Sequence, residues 1–489
     1  MTKYNTTLLL FFVITAVVSC FSKVNAAAIS TDLQARSIQR PQNGTTTPEK
    51  PTEENSPKAF YYNQTIDHLN KTSGKFFQKY YVNSTFYKES GPILLYTPGE
   101  STIEPSITTF SFISELAANL SGLLINIEHR YYGESDPSKD FKYLTIDQAL
   151  LDFANFIQNP PEDLKIPKDA KWITVGASYA GNLATWMRKK FPKDVFAAYA
   201  SSAPIEARLD FFEYDQRVSK ALPCAKNISD AFSLVFDPIL TSGNESAILE
   251  LKQTFGLEML EDNRDFASAL SFPTSTIVQD YVPPQSPEQL DNILAICGPF
   301  AQAPESPETS ALIYTEGVKA FLNITGITTP ETKINTFATT SINTKENKDL
   351  TSYTYQYCTE LGYYQTAPKF PLLSIRSKTI DISYYQGQCD FIFPGIVSSP
   401  MVNITNKKFG GFNGKFSKTV FVNGDMDPWT ALSVSSDSVN PKTTKENSIF
   451  LIKGGSHGTE FSPPSPFDSD SLKESRIFVR DTLAKWLIE

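Results

Sequence analysis

Between positions 92 and 200 the chain alternates between two hydrophobic rhythms, and this restricts its fold more than any other feature. Positions 92–96, 122–127, 171–175 and 195–200 are short, nearly unbroken apolar runs. Runs of that length read as strands buried on both faces. Between them, Ile146, Ala149, Leu150, Phe153, Ala154 and Ile157 recur at helical spacing. Thr145 and Gln148 make a capping box at the start of that helix. A second helix is expected from Gly181 to about Phe191. A β-α-β-α-β series of this kind closes into a mostly parallel sheet with helices on both faces, the α/β class.

The rhythm stops after Pro204. It resumes at 419–422 and 449–452 and ends in a helix at about 472–487, with Phe478, Val479, Leu483 and Trp486 turned inward. The expected organisation is a sheet-bearing body of residues 58–205 and 386–489, with residues 206–385 inserted as a largely helical cap. The 35 Phe and 22 Tyr are ample for a large core.

The first 26 residues read as a signal peptide: Lys3, an apolar stretch over 8–18, and Val24-Asn25-Ala26 as a cleavage site. Residues 27–57 are polar and Pro/Thr-rich, a flexible leader or propeptide. No later run is apolar enough to span a bilayer, so the mature chain is expected to be secreted, or delivered to a lysosome or vacuole by the same route. Cys224, Cys297, Cys358 and Cys389 remain after Cys20 leaves, and four cysteines allow three connectivities. Sequential pairing, Cys224–Cys297 and Cys358–Cys389, keeps each bridge within or at the edge of the cap. Sequons at Asn43, Asn63, Asn70, Asn83, Asn119, Asn227, Asn244, Asn323 and Asn403 indicate a glycosylated surface.

A net charge of −9 argues against nucleic acid or an anionic membrane as partner. The three histidines are His68, His129 and His457, and no HExxH or CxxC occurs. Neither a metal nor another cofactor is expected.

Ser178 lies between a strand and a helix in Gly176-Ala177-Ser178-Tyr179-Ala180-Gly181. Small neighbours suit the sharp turn that lifts a serine hydroxyl above a sheet. A serine nucleophile needs a base, and the base needs an orienting carboxylate. His457 follows a strand in a Gly-rich loop, and Asp427 follows another, with Asp425 as a competitor two residues away. The order Ser…Asp…His is that of the α/β-hydrolase fold. The oxyanion donors would be the backbone N–H of Tyr179 and that of Gly99 or Glu100, since Pro98 has none.

At these residues the chain resembles the Pro-Xaa serine peptidases. That family includes lysosomal prolylcarboxypeptidase, dipeptidyl peptidase II, the thymus-specific serine protease and fungal acid prolyl endopeptidases. The carrying strings are Ile66-Asp67-His68, Glu128-His129-Arg130-Tyr131-Tyr132-Gly133-Glu134-Ser135, the Ser178 elbow, Ser201-Ser202-Ala203-Pro204, Asn423-Gly424-Asp425-Met426-Asp427-Pro428-Trp429 and Gly455-Ser456-His457. The resemblance implies an α/β-hydrolase fold with an inserted helical cap domain. It implies the triad Ser178, Asp427 and His457, choosing Asp427 over Asp425, and gives His129 and Arg130 a structural part. It also implies a proline pocket bordered by Tyr179 and Trp429. Three departures stand out. Pro98-Gly99-Glu100 replaces the family's Gly-Gly-Glu loop, Ala180 replaces a glycine, and Asn182 stands near the pocket where an apolar residue is common.

The reading is a secreted serine peptidase that cleaves after proline in a peptide or protein substrate, through an acyl-enzyme. An esterase or lipase on the same fold, and an inactive secreted binding relative, are the competing readings.

Overall fold

The computed structural model describes residues 57–489, apart from residues 71, 285, 287, 288, 290, 304, 343–346, 370–371, 396–398 and 440–445. The expected signal peptide, the expected leader up to residue 56 and Asn43 lie outside the described residues.

The strands in chain order are β1 (Phe60–Thr65), β2 (Lys75–Asn83), β3 (Ile93–Tyr96), β4 (Leu123–Ile127), β5 (Trp172–Ala177), β6 (Val195–Ser201), β7 (Arg208–Asp210), β8 (Gly362–Tyr364), β9 (Thr419–Gly424) and β10 (Asn447–Ile452). Eight form one sheet in the order β1-β2-β4-β3-β5-β6-β9-β10, and β7 pairs with β8 in a separate small ladder. Only the β1–β2 and β2–β4 pairings of the large sheet are antiparallel; the rest are parallel. A mixed eight-stranded sheet of this order, with a sharp strand-to-helix turn after β5, is the α/β-hydrolase fold.

The continuous apolar runs follow from burial of both sheet faces. Leu94, Tyr96, Leu124, Ile173, Val420 and Val422 pack against helix α1 (Phe112–Asn119) and the C-terminal helix Asp470–Ile488. Ile93, Leu95 and Ile125 point the other way, toward α2 (Ile146–Gln158) and α3 (Tyr179–Lys190). Ile93, Leu94 and Leu95 are at most 3% exposed. Burying each such side chain contributes about 1.5–3 kcal/mol before the entropy of ordering is counted.

The capping box expected at α2 is only half formed. Thr145 accepts from the Gln148 N–H, but the Gln148 side chain turns away from the cap. Its Nε2 donates to Asp67 at 2.7 Å, and its Oε1 accepts from the His68 N–H at 3.0 Å. A tertiary partner with charge outcompetes a local backbone donor.

The chain between β6 and β9 is largely helical and carries both disulfides, Cys224–Cys297 and Cys358–Cys389, paired sequentially. A boundary at residue 385 falls inside the helix Ile382–Ile392, whose Cys389 is tied back to Cys358. No described helix is long and apolar enough to cross a membrane.

Candidate active site

Ser178 follows β5 and caps α3 with φ +59° and ψ −132°. Holding a non-glycine residue there costs on the order of 1–3 kcal/mol, so the surroundings must impose it. They do so by close packing. The Ser178 N–H donates to the Ser201 carbonyl at 2.9 Å. A Cβ on Gly176 would lie 2.3 Å from the Ala180 carbonyl oxygen, and one on Gly99 would lie 2.9 Å from the Ala180 nitrogen. Ala180 thus fits between two positions that must be glycine. The Ser178 side chain makes no capping bond to its helix, which leaves the hydroxyl off the helix end.

The loops after β9 and β10 close on each other. A Cβ on Gly424 would meet the Gly455 carbonyl at 2.2 Å, and the Met426 N–H donates to that same carbonyl at 3.0 Å. This contact sets His457 against Asp427. The His457 Nδ1 lies 3.0 Å from both carboxylate oxygens of Asp427, which is fully buried. Asp427 Oδ1 also accepts from the Trp429 N–H at 2.9 Å, fixing the carboxylate's orientation. Asp425 is exposed and binds the Gly454 N–H at 2.8 Å, so the geometry brings Asp427, not Asp425, to the imidazole. The His457 loop reaches the turn at Ser178. The Gly458 N–H donates to Ser202 Oγ at 2.9 Å, and a Cβ on Gly458 would lie 3.8 Å from that of Ala177.

Of the candidate oxyanion donors, the Gly99 N–H makes a long 3.3 Å bond to Thr97 Oγ1, and the Glu100 N–H faces the Pro98 carbonyl at 3.1 Å. The Tyr179 side chain is buried and directional. Burial lowers the His129 pKa to about 4, so its ring is neutral near pH 7. Its Nδ1 faces the Arg130 carbonyl at 2.7 Å and must carry the proton. His129 Nε2 therefore accepts from the Tyr179 hydroxyl at 3.3 Å. That hydroxyl accepts in turn from Gln356 Nε2 at 2.8 Å, and Gln356 Oε1 accepts from the Tyr132 hydroxyl at 2.5 Å.

Trp429 is 3% exposed, with its ring centroid 6.1 Å from that of His457. Phe211, Tyr214 and Tyr363 surround it at 5.3, 5.8 and 5.2 Å. Asn182 is fully buried behind Tyr363, with its Nδ2 donating to the Pro204 carbonyl at 3.0 Å and lying 3.3 Å from the Tyr363 hydroxyl. Phe211, Tyr214, Tyr363, Gln279 and Gln356 were not identified from the sequence. They come from the stretch after β6, where no motif marks them. Among the sequons, Asn63, Asn70, Asn119, Asn244, Asn323 and Asn403 are exposed. Asn83 and Asn227 are half-buried, and the Asn83 amide is bonded to the Thr108 carbonyl.

The sequence profile described as serine carboxypeptidase S28 matches residues 64–479. Thymus-specific serine protease of Mus musculus is 31% identical, with 88% of each chain covered. A putative serine protease of Caenorhabditis elegans is 30% identical, with 87% of each chain covered. A probable extracellular serine carboxypeptidase of Arthroderma benhamiae is 28% identical over 79% of this chain and 61% of its own. A match that runs from β1 into the last helix, together with relatives aligned over nearly the whole of both chains, makes this protein a serine-type peptidase belonging to the serine carboxypeptidase S28 family.

Proposed function

We propose that Ser178, His457 and Asp427 are the catalytic triad and that the enzyme hydrolyses peptide bonds after proline. The observation that carries the triad is the buried Asp427 carboxylate, held 3.0 Å from His457 Nδ1 beside the strained Ser178 turn. With Nδ1 committed to the carboxylate, Nε2 is the nitrogen that takes the Ser178 proton as Oγ bonds to the scissile carbonyl carbon. The oxyanion that forms accepts from the Tyr179 N–H at the start of α3 and from Gly99, whose long bond to Thr97 is easily exchanged. The C–N bond then breaks, and His457 delivers its proton to the leaving nitrogen. Water, deprotonated by the same imidazole, attacks the acyl-enzyme and releases the acid and Ser178.

The buried aromatic cluster at Trp429 is the proposed proline site. Proline's ring fixes φ and removes an N–H, so recognition rests on shape rather than on a strand hydrogen bond. Trp429, with Phe211, Tyr214 and Tyr363 around it, supplies flat apolar walls next to the base. Tyr179 borders the elbow, and Asn182 acts behind Tyr363. The signal-like N-terminus, two disulfides and exposed sequons support a secretory enzyme, released or delivered to an acidic organelle.

Two measurements test the proposal. Folded Ser178→Ala should lose both fluorophosphonate labelling and hydrolysis, with residual catalysis no more than about 10³–10⁴-fold over water. Near-normal turnover refutes the triad. Matched Pro-Xaa and Ala-Xaa peptides, blocked or free at each end, then report the proline preference and the terminus required. Equal kcat/KM for the two refutes the proline reading, and cleavage of esters alone favours an esterase.

A further inference from the structure

Gln279 ends the helix Asn263–Gln279, in the stretch between β7 and β8. It has no place in any motif of the nucleophile, acid or base segments. Yet it touches both halves of the site. Its Oε1 accepts from Trp429 Nε1 at 2.8 Å and from the Tyr214 hydroxyl at 2.9 Å. An indole N–H can only donate, so the amide oxygen, not the nitrogen, must face it. Two donors on one oxygen hold the indole plane and the phenol edge against each other, 5.8 Å apart and nearly perpendicular at 78°. The main chain of the same residue holds the base loop. The Gln279 carbonyl accepts from the His457 N–H at 3.1 Å and lies 2.8 Å from Ser456 Oγ, which also reaches the Val278 carbonyl at 2.6 Å.

We infer that Gln279 is a positioning residue, whose side chain sets the orientation of the Trp429 wall while its carbonyl seats the His457 loop. The inference rests on the proposed proline pocket at Trp429. It adds that the pocket's shape is controlled from outside the hydrolase sheet, by a single helix end. The two roles separate experimentally because they use different atoms. Replacing the side chain removes the Oε1 acceptor and leaves both main-chain bonds to the His457 loop in place. General damage to the fold would lower every activity together. Loss of the acceptor alone would release the indole and leave the nucleophile intact.

The test uses the full-length enzyme and the variants Gln279→Leu, Gln279→Glu and Trp429→Ala. The readouts are kcat and KM on matched Pro-Xaa and Ala-Xaa peptides and the rate of fluorophosphonate labelling. Gln279→Leu should lower the Pro/Ala ratio about tenfold, the scale of one buried hydrogen bond left unmade. The loss should appear in KM, while labelling stays within about twofold of wild type, as expected for lost uniform binding. Gln279→Glu restores an oxygen acceptor and should restore the ratio. If Gln279→Leu does not fold, Gln279→Asn withdraws the acceptor by one methylene and gives the same readout. An unchanged ratio in Gln279→Leu, or a fall in Gln279→Glu equal to that in Gln279→Leu, overturns the inference. If Trp429→Ala lowers the ratio and Gln279→Leu does not, the pocket stands and the role of Gln279 is refuted. If neither lowers it, the pocket itself is misplaced.

Discussion

Replacing Asp152 with alanine tests whether the structure's most enclosed ion pair supports the site. Asp152 on α2 and Arg130 after β4 have no exposed side-chain surface. The Arg130 Nε donates to Asp152 Oδ2 at 2.7 Å and Nη2 donates to Oδ1 at 2.6 Å. Nη2 also reaches the Thr65 carbonyl at 3.2 Å, and Nη1 reaches those of Ile66 and Tyr143 at 3.0 Å each. These bonds use all five guanidinium N–H groups. Asp152→Ala removes the two charge-assisted bonds to Arg130, at about 1.5–3 kcal/mol each, together with the 2.8 Å bond to His68 Nε2, and strands a buried cation. The expected loss is about 3–5 kcal/mol, the range for removing one partner of a buried pair. Urea unfolding followed by tryptophan fluorescence measures it. The Arg130 carbonyl also fixes the His129 tautomer behind Tyr179, so fluorophosphonate labelling should slow in parallel. The double variant Arg130→Met/Asp152→Leu should lose less stability than Asp152→Ala, because no unpaired charge remains. A loss under about 1.5 kcal/mol, or a double variant worse than the single, refutes the reasoning.

Gly176→Ala puts a methyl 2.3 Å from the Ala180 carbonyl. It should cost at least about 2 kcal/mol and abolish labelling, read by the same unfolding assay and probe. Cys358→Ser/Cys389→Ser opens a 31-residue loop and should lower stability by about 3–4 kcal/mol under non-reducing conditions. Burial raises Glu360 from its ordinary 4.5 to about 7, opposed by its bond to the Ile146 N–H. The folded state therefore holds this proton more tightly, and stability should fall as pH rises from about 4.5 through 7. Glu360→Gln should flatten that part of the stability–pH curve by at most about 3 kcal/mol; an unchanged curve contradicts the assignment.

The strands that frame the nucleophile were legible because both of their faces are apolar. β1 and β2 were not. Lys75-Phe-Phe-Gln-Lys-Tyr-Tyr-Val-Asn83 pairs aromatics with polar residues, giving neither a run nor an alternation. The two strands are joined by buried glutamines, Gln64 of β1 and Gln78 of β2, bonded at 2.9 Å, which no hydrophobic rhythm reveals. The site divides the same way. The candidate triad Ser178, Asp427 and His457 stood out in the sequence because each sits in a turn whose small residues the backbone demands. Gln279, Gln356 and the aromatic wall are single side chains on helices. Tertiary contact alone gives them a partner, and they carry no local signature.

The adjacency of β6 and β9 governs how the enzyme comes into being. Ser201 pairs with Val422, so the nucleophile's half of the sheet must wait for the other half. Roughly 200 residues lie between them, about 10–40 s of synthesis at 5–20 residues per second. During that interval β6 presents an unpaired edge whose residues are almost all destined for burial, a segment that can template mispairing. Asp427 and His457 follow β9 and β10, the last two strands of the sheet. On the proposed triad, a growing chain carries Ser178 without the acid and base that would activate it until β9 and β10 have been made.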